Sequence, residues 1–349
     1  MRNQRLTGVG CASADEVVGW LGAVQSQDYG PAQWSVAQRT SNLTEFDLEQ
    51  AVNVGAILRT HVLRPTWHFV RPADIRWMLE LTRPRVHAMS AHGERREALD
   101  AAVFKQAFAA LARGLEGGRH LTRTEITACL QQAGVVAQAG RLGHILMRAE
   151  LEGLICSGSR KGKQHTYALL DERVPPTRAR TRDEALAELT LRYFTSHGPA
   201  TVADFRWWSS LTAADIAQGL ELAGPCLASE TIDGRTYRFA SPVPVGVDGG
   251  PPTAHLLQPY DEYIVGYSES RYAALDVSGA ARSNEVVFTA VVVVDGQVAG
   301  WWRRTAGKGS VAVEVALFEP PDEPVRAALT AAAERYGAFV GLPVTLAIR

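Results

Sequence analysis

The chain has 349 residues, 46% of them hydrophobic and 21% charged, with a formal net charge of −1 at pH 7. That length suits roughly two or three domains, each with its own core. The near-neutral balance excludes a uniformly basic nucleic-acid coat, so any charged groove is local. Cys11, Cys129, Cys156 and Cys226 lie far apart without metal-ligand spacing, which predicts reduced thiols and a cytoplasmic setting. The opening MRNQRLTGVG lacks the apolar core of a signal peptide. The longest apolar run, around Val286–Val294, reads as a buried strand too short to cross a bilayer, so no membrane partner is expected.

Ser13-x-x-Glu16 is a capping-box pattern that predicts a helix carrying Val17, Val18, Trp20, Leu21 and Val24. Thr44 is placed to cap a second helix with Phe46, Leu48 and Val52. Residues 56–70 alternate as a hairpin of short strands. Pro72 suits the first turn of a helix with Ile75, Met78 and Leu79. Helix, helix and strand pair is the order of a winged helix-turn-helix unit.

The order recurs. Phe104–Leu115 reads as a helix stopped by Gly117-Gly118, and Thr122-x-x-Glu125 opens another over Ile126–Gln132. Arg141–Glu152 follows as a candidate recognition helix. Then LIC, the turn SGSRKGKQ and HTYALL predict a strand, a basic tip and a strand. The stretch VPPTRART is a Pro- and Arg-rich linker. Beyond it, Glu184–Thr195 is helical, Thr201 and Thr212 cap two short helices, and Asp233-Gly234 centres a hairpin. The last segment predicts strands at His255–Leu257, Val286–Val294, Gln297–Arg303 and Val311–Leu317, a helix Pro324–Tyr336 and a final strand. The fold class is α+β: three winged-helix units over residues 1–100, 101–182 and 183–349, the last fused to a small antiparallel sheet.

The residues that point to chemistry begin at Ala23-Val24-Gln25-Ser26-Gln27-Asp28. A carboxamide offers one acceptor and two N–H donors, so Gln25 and Gln27 are suited to holding a water molecule or a sugar edge. They are not bases at neutral pH. On a regular helix, positions i and i+2 point roughly 200° apart, so two cooperating glutamines need an extended or turned segment up to Pro31. Asp28 is the rival water-holding group, or else a turn residue bonding its own backbone. Trp67 and His68 are candidate lining residues. His61 and His68 lack a third ligand for a metal. Asp261-Glu262 reads as a buried salt bridge or cap.

Arg59, Arg64, Arg71, Arg76, Arg83, Arg85, Arg95 and Arg96 form one basic stretch, and Arg160 to Arg182 another. Both fit a charged groove or ordinary solvated faces. Within the second, Arg160, Lys161 and Lys163 sit on the expected wing tip, which is suited to phosphate contacts. Arg303, Arg304 and Lys308 mark a later basic hairpin.

The segments LGAVQSQDYGPA, LRTHVLRPTWHFVRPADIRWMLELTRPRV, HGPATVADFRWWSSLT, LLQPYDEYIVGY and VVVVDGQVAGWWRR together resemble the winged-helix DNA glycosylases of the AlkZ type. The resemblance spans nearly the whole chain. It implies three tandem winged helices in a C-shaped scaffold around double-stranded DNA, and removal of alkylated purines without metal or organic cofactor. It also implies a Gln-x-Gln catalytic motif, matched by Gln25 and Gln27, with Ser26 where the family usually has an apolar residue. A late hairpin that engages DNA matches Arg303–Gly309. Amides suffice for this chemistry if the leaving base is already cationic, so N-alkylpurines are the expected substrates and interstrand crosslinks a further one. No coiled coil or dimer helix is visible, which predicts a monomer. The alternative is a non-catalytic winged-helix DNA-binding protein, either a regulator or a damage sensor.

Overall fold

The structure is a computed structural model that describes residues 1–241, 250–271 and 284–349. Helix α1 (Ala14–Leu21) opens on Ser13, whose hydroxyl accepts the Glu16 N–H. It stops at Gly22, whose φ of 87° favours glycine. Val24, expected in that helix, therefore falls in strand β1 (Val24–Gln25). Tyr29-Gly30-Pro31, expected as a turn, instead opens α2 (Tyr29–Ala37). Pro31 lies in the first turn, where a missing N–H costs no helical bond. Helix α3 (Glu45–Val54) carries the reciprocal Thr44–Asp47 capping box. Strands β2 (Leu58–His61) and β3 (Trp67–Val70) form the expected hairpin, and β1 adds to the open edge of β3. Helix α4 (Pro72–Arg96) then runs 25 residues, through Pro84.

The second region is α5 (Ala101–Leu115), β4 (Leu121–Thr122), α6 (Arg123–Gln132), α7 (Ala139–Leu151), β5 (Ile155–Ser157), β6 (Thr166–Leu169) and the short α8 (Leu170–Arg173). Its sheet has the order β4-β6-β5. Gly117 and Gly118 have positive φ where the sequence placed a stop, and Gly134 and Gly153 do the same just past α6 and α7. Helix α7 is not displayed as a recognition helix. Leu142, Ile145, Leu146, Ala149, Glu150 and Leu151 are buried, and none of residues 141–151 is exposed. Its polar groups face α4 and β2: Arg148 bonds Glu94 at 3.1 Å, and Glu150 pairs with His61.

After the linker come α9 (Arg182–Ser196), α10 (Val202–Ser209), α11 (Ala213–Ala223) and the hairpin β7 (Leu227–Ile232)–β8 (Arg235–Ala240). Capping boxes open all three helices, at Thr181, Thr201 and Thr212. The chain continues through β9 (Ala254–Leu257), α12 (Glu262–Val265), β10 (Val291–Val294), β11 (Gln297–Ala306), β12 (Val311–Leu317), α13 (Glu323–Val340) and β13 (Val344–Ile348). The strand expected over Val286–Val294 is shorter, because Asn284–Phe288 forms a 3-10 turn. The sheet is not purely antiparallel. Its five strands run β13-β12-β11-β10-β9, and β13 pairs with β12 in parallel because α13 carries the chain back across the sheet.

The cores tie distant segments together. Val17, Leu21, Trp34 and Leu48 pack with Leu256, Trp302, Val313, Leu329 and Tyr336, so α1–α3 cover the C-terminal sheet. Trp34 Nε1–H donates to the Leu256 carbonyl at 2.7 Å. Another core joins Leu58, Val70 and Trp77 to Leu189, Tyr193, Phe205 and Trp208. A third lies within the second region, around Leu111, Ile126, Leu130 and Ile145.

Candidate active site

The Gln25–Asp28 segment follows directly on Ala23, which packs with Leu58 and Trp208, and Val24, which packs in the core that joins α1–α3 to the C-terminal sheet. In β1, Gln25 faces His68 across the pair, and Thr60 faces His68 from the other side, so the three share one sheet face. Val24, Phe69 and Arg59 share the opposite face. The chain is extended at Val24–Gln25 and leaves the strand at Ser26, where the Ser26 N–H donates to the Trp67 carbonyl at 2.7 Å. This meets the requirement that a helix end before the two glutamines.

Gln25 is 5% exposed and held at two points. Its main-chain N–H donates to Glu262 Oε1 at 2.9 Å, and its side-chain Oε1 accepts from Arg64 at 2.7 Å. Arg64 is fixed in turn by the Trp208 carbonyl at 2.8 Å. Gln27 is half-buried. Its Oε1 accepts a long bond from the Trp67 N–H at 3.4 Å, and its main-chain carbonyl accepts from Arg59 at 3.2 Å. Each amide carbonyl therefore faces a protein donor with one of its two lone pairs. That leaves the amide N–H groups and the second lone pair for a ligand.

Asp28 is exposed at the head of α2 and makes no side-chain cap. The local backbone bond expected of it is absent: a cap bonds the N–H of the second or third helical residue, and the third here is Pro31, which has none. Trp67 contacts Arg59, 4.3 Å above its ring, and the His61 ring, tilted against it at 4.5 Å. His68 is fully buried, with Nδ1 2.9 Å from the Thr66 carbonyl. Burial, then the Arg64 charge, push its pKa well below the ordinary histidine value, so the ring is neutral at pH 7. His61 pairs opposite Trp67, so His61 and His68 leave opposite faces and cannot share a ligand. Among the described residues, no three His, Cys, Asp or Glu side chains are grouped to hold a metal. No described helix is long and apolar enough to cross a membrane.

Most of the first basic stretch is internal wiring. Arg59 donates to the Ser26 carbonyl (3.0 Å), Arg71 pairs with Asp74 (2.9 Å), Arg76 with Asp171 (2.8 Å) and Arg83 with Glu152 (3.3 Å). Burial pushes the Arg59 pKa down to about 10, which still leaves it cationic at pH 7. The turn expected as a wing tip is docked as well. Arg160 is 14% exposed, with its guanidinium 4.7 Å above the Tyr29 ring and its N–H on Asn53 Oδ1 at 2.8 Å. Lys161 pairs with Glu125 at 2.9 Å. The exposed Lys163 side chain alone of these three cations has no partner among the described residues. On the later hairpin, Arg303 bonds Glu314 at 2.7 Å, Arg304 lies 5.6 Å from the Tyr336 ring, and Lys308 stands exposed in the turn. Neither Glu314 nor Tyr336 belongs to the Gln25–Asp28 segment.

Arg64 and Glu262 are the site residues that the sequence did not single out for this place. Arg64 stood among many arginines. The reading of Asp261-Glu262 as a buried bridge or cap anticipated Asp261, which caps α12 and pairs with Arg39 at 2.7 Å. It did not anticipate that Glu262 reaches Gln25.

Comparison with known proteins places the chain. The family model described as "DNA glycosylase AlkZ-like" matches residues 18–339. A Streptomyces sahachiroi protein named as an interstrand DNA cross-link repair glycosylase is 24% identical over 304 residues, covering 83% of this chain and 82% of its own. The solved structure of the Streptomyces sahachiroi DNA glycosylase AlkZ matches with a TM-score of 0.79 at 22% identity. That match covers 99% of this chain and 96% of the other.

Proposed function

The chain belongs to the AlkZ-like DNA glycosylase family, and on that premise we propose that it is a monofunctional glycosylase for cationic N-alkylpurines in double-stranded DNA. The observation that carries the reading is the pair of amides on one non-helical segment between α1 and α2, Gln25 held and Gln27 half-open. A purine alkylated at N7 or N3 is positively charged, so its glycosidic bond is weakened before the enzyme acts. What the site must then supply is a water molecule aimed at the anomeric carbon, not a strong base. Gln27 holds that water and Gln25 assists. The base leaves and an abasic strand remains. The four lysines, Lys105, Lys161, Lys163 and Lys308, lie outside the Gln25–Asp28 segment, so a Schiff-base strand cleavage has no nucleophile in it.

The sahachiroi relative is named for interstrand crosslink repair, and we extend the substrate to crosslinked N-alkylpurines on that likeness. Three winged-helix units, over residues 1–100, 101–182 and 183–349, are the organisation we read from the hairpins β2–β3, β5–β6 and β7–β8, each of which follows helices. They would curve around the duplex as a monomer in the cytoplasm, with no metal or organic cofactor. Lys163 and the Arg303–Lys308 hairpin are our candidate phosphate contacts.

The test is direct. Purified protein in chelator should release N7-methylguanine from a methylated duplex, leaving a strand that breaks only on later alkaline treatment. Release of no base from methylated or crosslinked DNA would overturn the enzyme reading in favour of a DNA-binding protein.

A further inference from the structure

Glu262 is a buried carboxylate with an unusual set of neighbours. It is 0% exposed, and an ionised group in that position is costly unless its oxygens are well bonded. Adjacent Asp261 faces the Arg39 guanidinium through two bonds, at 2.7 and 2.9 Å. Glu262 instead gathers the Gln25 N–H on Oε1 (2.9 Å), and the Trp208 indole N–H (2.9 Å) and His197 Nε2 (3.3 Å) on Oε2. A glutamine of the same size could not accept at both ends, because its NH2 would meet one of these donors.

The bond to Gln25 falls at a sensitive place. Strand β1 has only two residues and pairs with β3 on one side. Glu262, 237 residues away, holds the Gln25 N–H. Arg64 orients the Gln25 side chain through Oε1, while Glu262 sets the height of its backbone. We propose that Glu262 is a positioning residue for base excision that acts through Gln25, a role that rests on the glycosylase reading of the Gln25–Gln27 segment. Loss of the bond frees the edge of β1 and lets the amide drift. A misplacement of about 1 Å at a reacting group costs up to about a hundredfold in rate.

The experiment is a double-mutant cycle on single-turnover release of N7-methylguanine, with duplex affinity and urea midpoint measured alongside. Glu262→Gln is expected to slow release roughly tenfold or more, with duplex affinity within about twofold of wild type. In a Gln25→Ala background the same change should cost less than about twofold, because the group it positions is gone. Glu262→Asp keeps the two acceptor oxygens but withdraws them by one methylene. It serves the same cycle if the Gln variant does not fold. Equal losses in both backgrounds would mean that Glu262 acts through general stability and would overturn the proposal. So would a folded Glu262 variant with an undiminished rate. A wild type that releases no base overturns the glycosylase reading first, and this proposal with it.

Discussion

Replacing Asp261 with Asn should destabilise the protein by an amount that depends on pH in a defined way. Asp261 and Arg39 are both 0% exposed. The carboxylate accepts from Arg39 twice, from Gln38 Nε2 at 3.1 Å and from the Tyr263 N–H at 2.9 Å. Asp261→Asn keeps the shape but leaves Arg39 buried without its counter-charge and turns an amide NH2 toward a donor. Breaking such a pair costs about 3–5 kcal/mol. At roughly 1–2 °C per kcal/mol for a chain of this size, the melting temperature should fall by about 3–10 °C at pH 7. Burial alone would raise the Asp261 pKa, but the Arg39 charge and the hydrogen bonds outweigh it and hold the carboxyl below its ordinary value. A depressed folded-state pKa means stability that is fully present above the unfolded value, near ~3.9, and lost as pH falls through the folded one. The gap between wild type and Asp261→Asn should therefore be constant from pH 7 to about 4 and narrow below that. Circular-dichroism melts across that range measure it. A shift under about 1 °C at pH 7, or a gap that stays constant in acid, would refute the reasoning. Arg39→Met with Asp261→Leu should cost less than either single change, because no charge is then stranded.

Further outcomes follow from the site and the basic turns. Gln27→Ala should slow excision roughly ten- to a hundredfold while duplex affinity holds, with a smaller loss for Gln25→Ala, both read in single-turnover assays. Asp28→Asn should stay within about threefold of wild type, because an exposed carboxylate is screened by water; abolished release there, with Gln27→Ala active, would give the water to Asp28. Lys163→Glu should weaken binding to damaged and undamaged duplexes alike and flatten the salt dependence by about one unit, measured at several salt concentrations. Arg160→Glu should instead lower the melting temperature, because it strips the cation from the Tyr29 ring. Shortening Thr305–Gly309 should reduce excision more than general binding; equal loss of both would count against a lesion-presenting role.

Local chemistry was legible and long-range pairing was not. Ser13, Thr44, Thr122, Thr201 and Thr212 announce helix starts because a cap bonds only its own first turn. Asp233-Gly234 announces a hairpin because both φ values are positive, at 50° and 76°. Pro31 misleads because a proline reads alike in a turn and in the first turn of a helix. Helix α7 misleads because Arg148 looks solvated until Glu94, 54 residues earlier, is seen beside it. The Gln25–Gln27 pair and its need for an extended or turned chain were visible in the spacing. The groups that hold Gln25 were not, since Arg64 is 39 residues and Glu262 237 residues away.

The distance between Gln25 and Glu262 also sets a clock. Translation at about 5–20 residues per second leaves Gln25 waiting roughly 12–50 s before residue 262 is made. Helices α1–α3 wait longer still, since Val17, Leu21 and Trp34 share their core with segments as late as Leu329 and Tyr336. For that interval the emerging N-terminal region carries an uncovered apolar face. Its shelter on the ribosome therefore depends on chaperones or on speed, and slowing elongation late in the message should raise aggregation more than slowing it early.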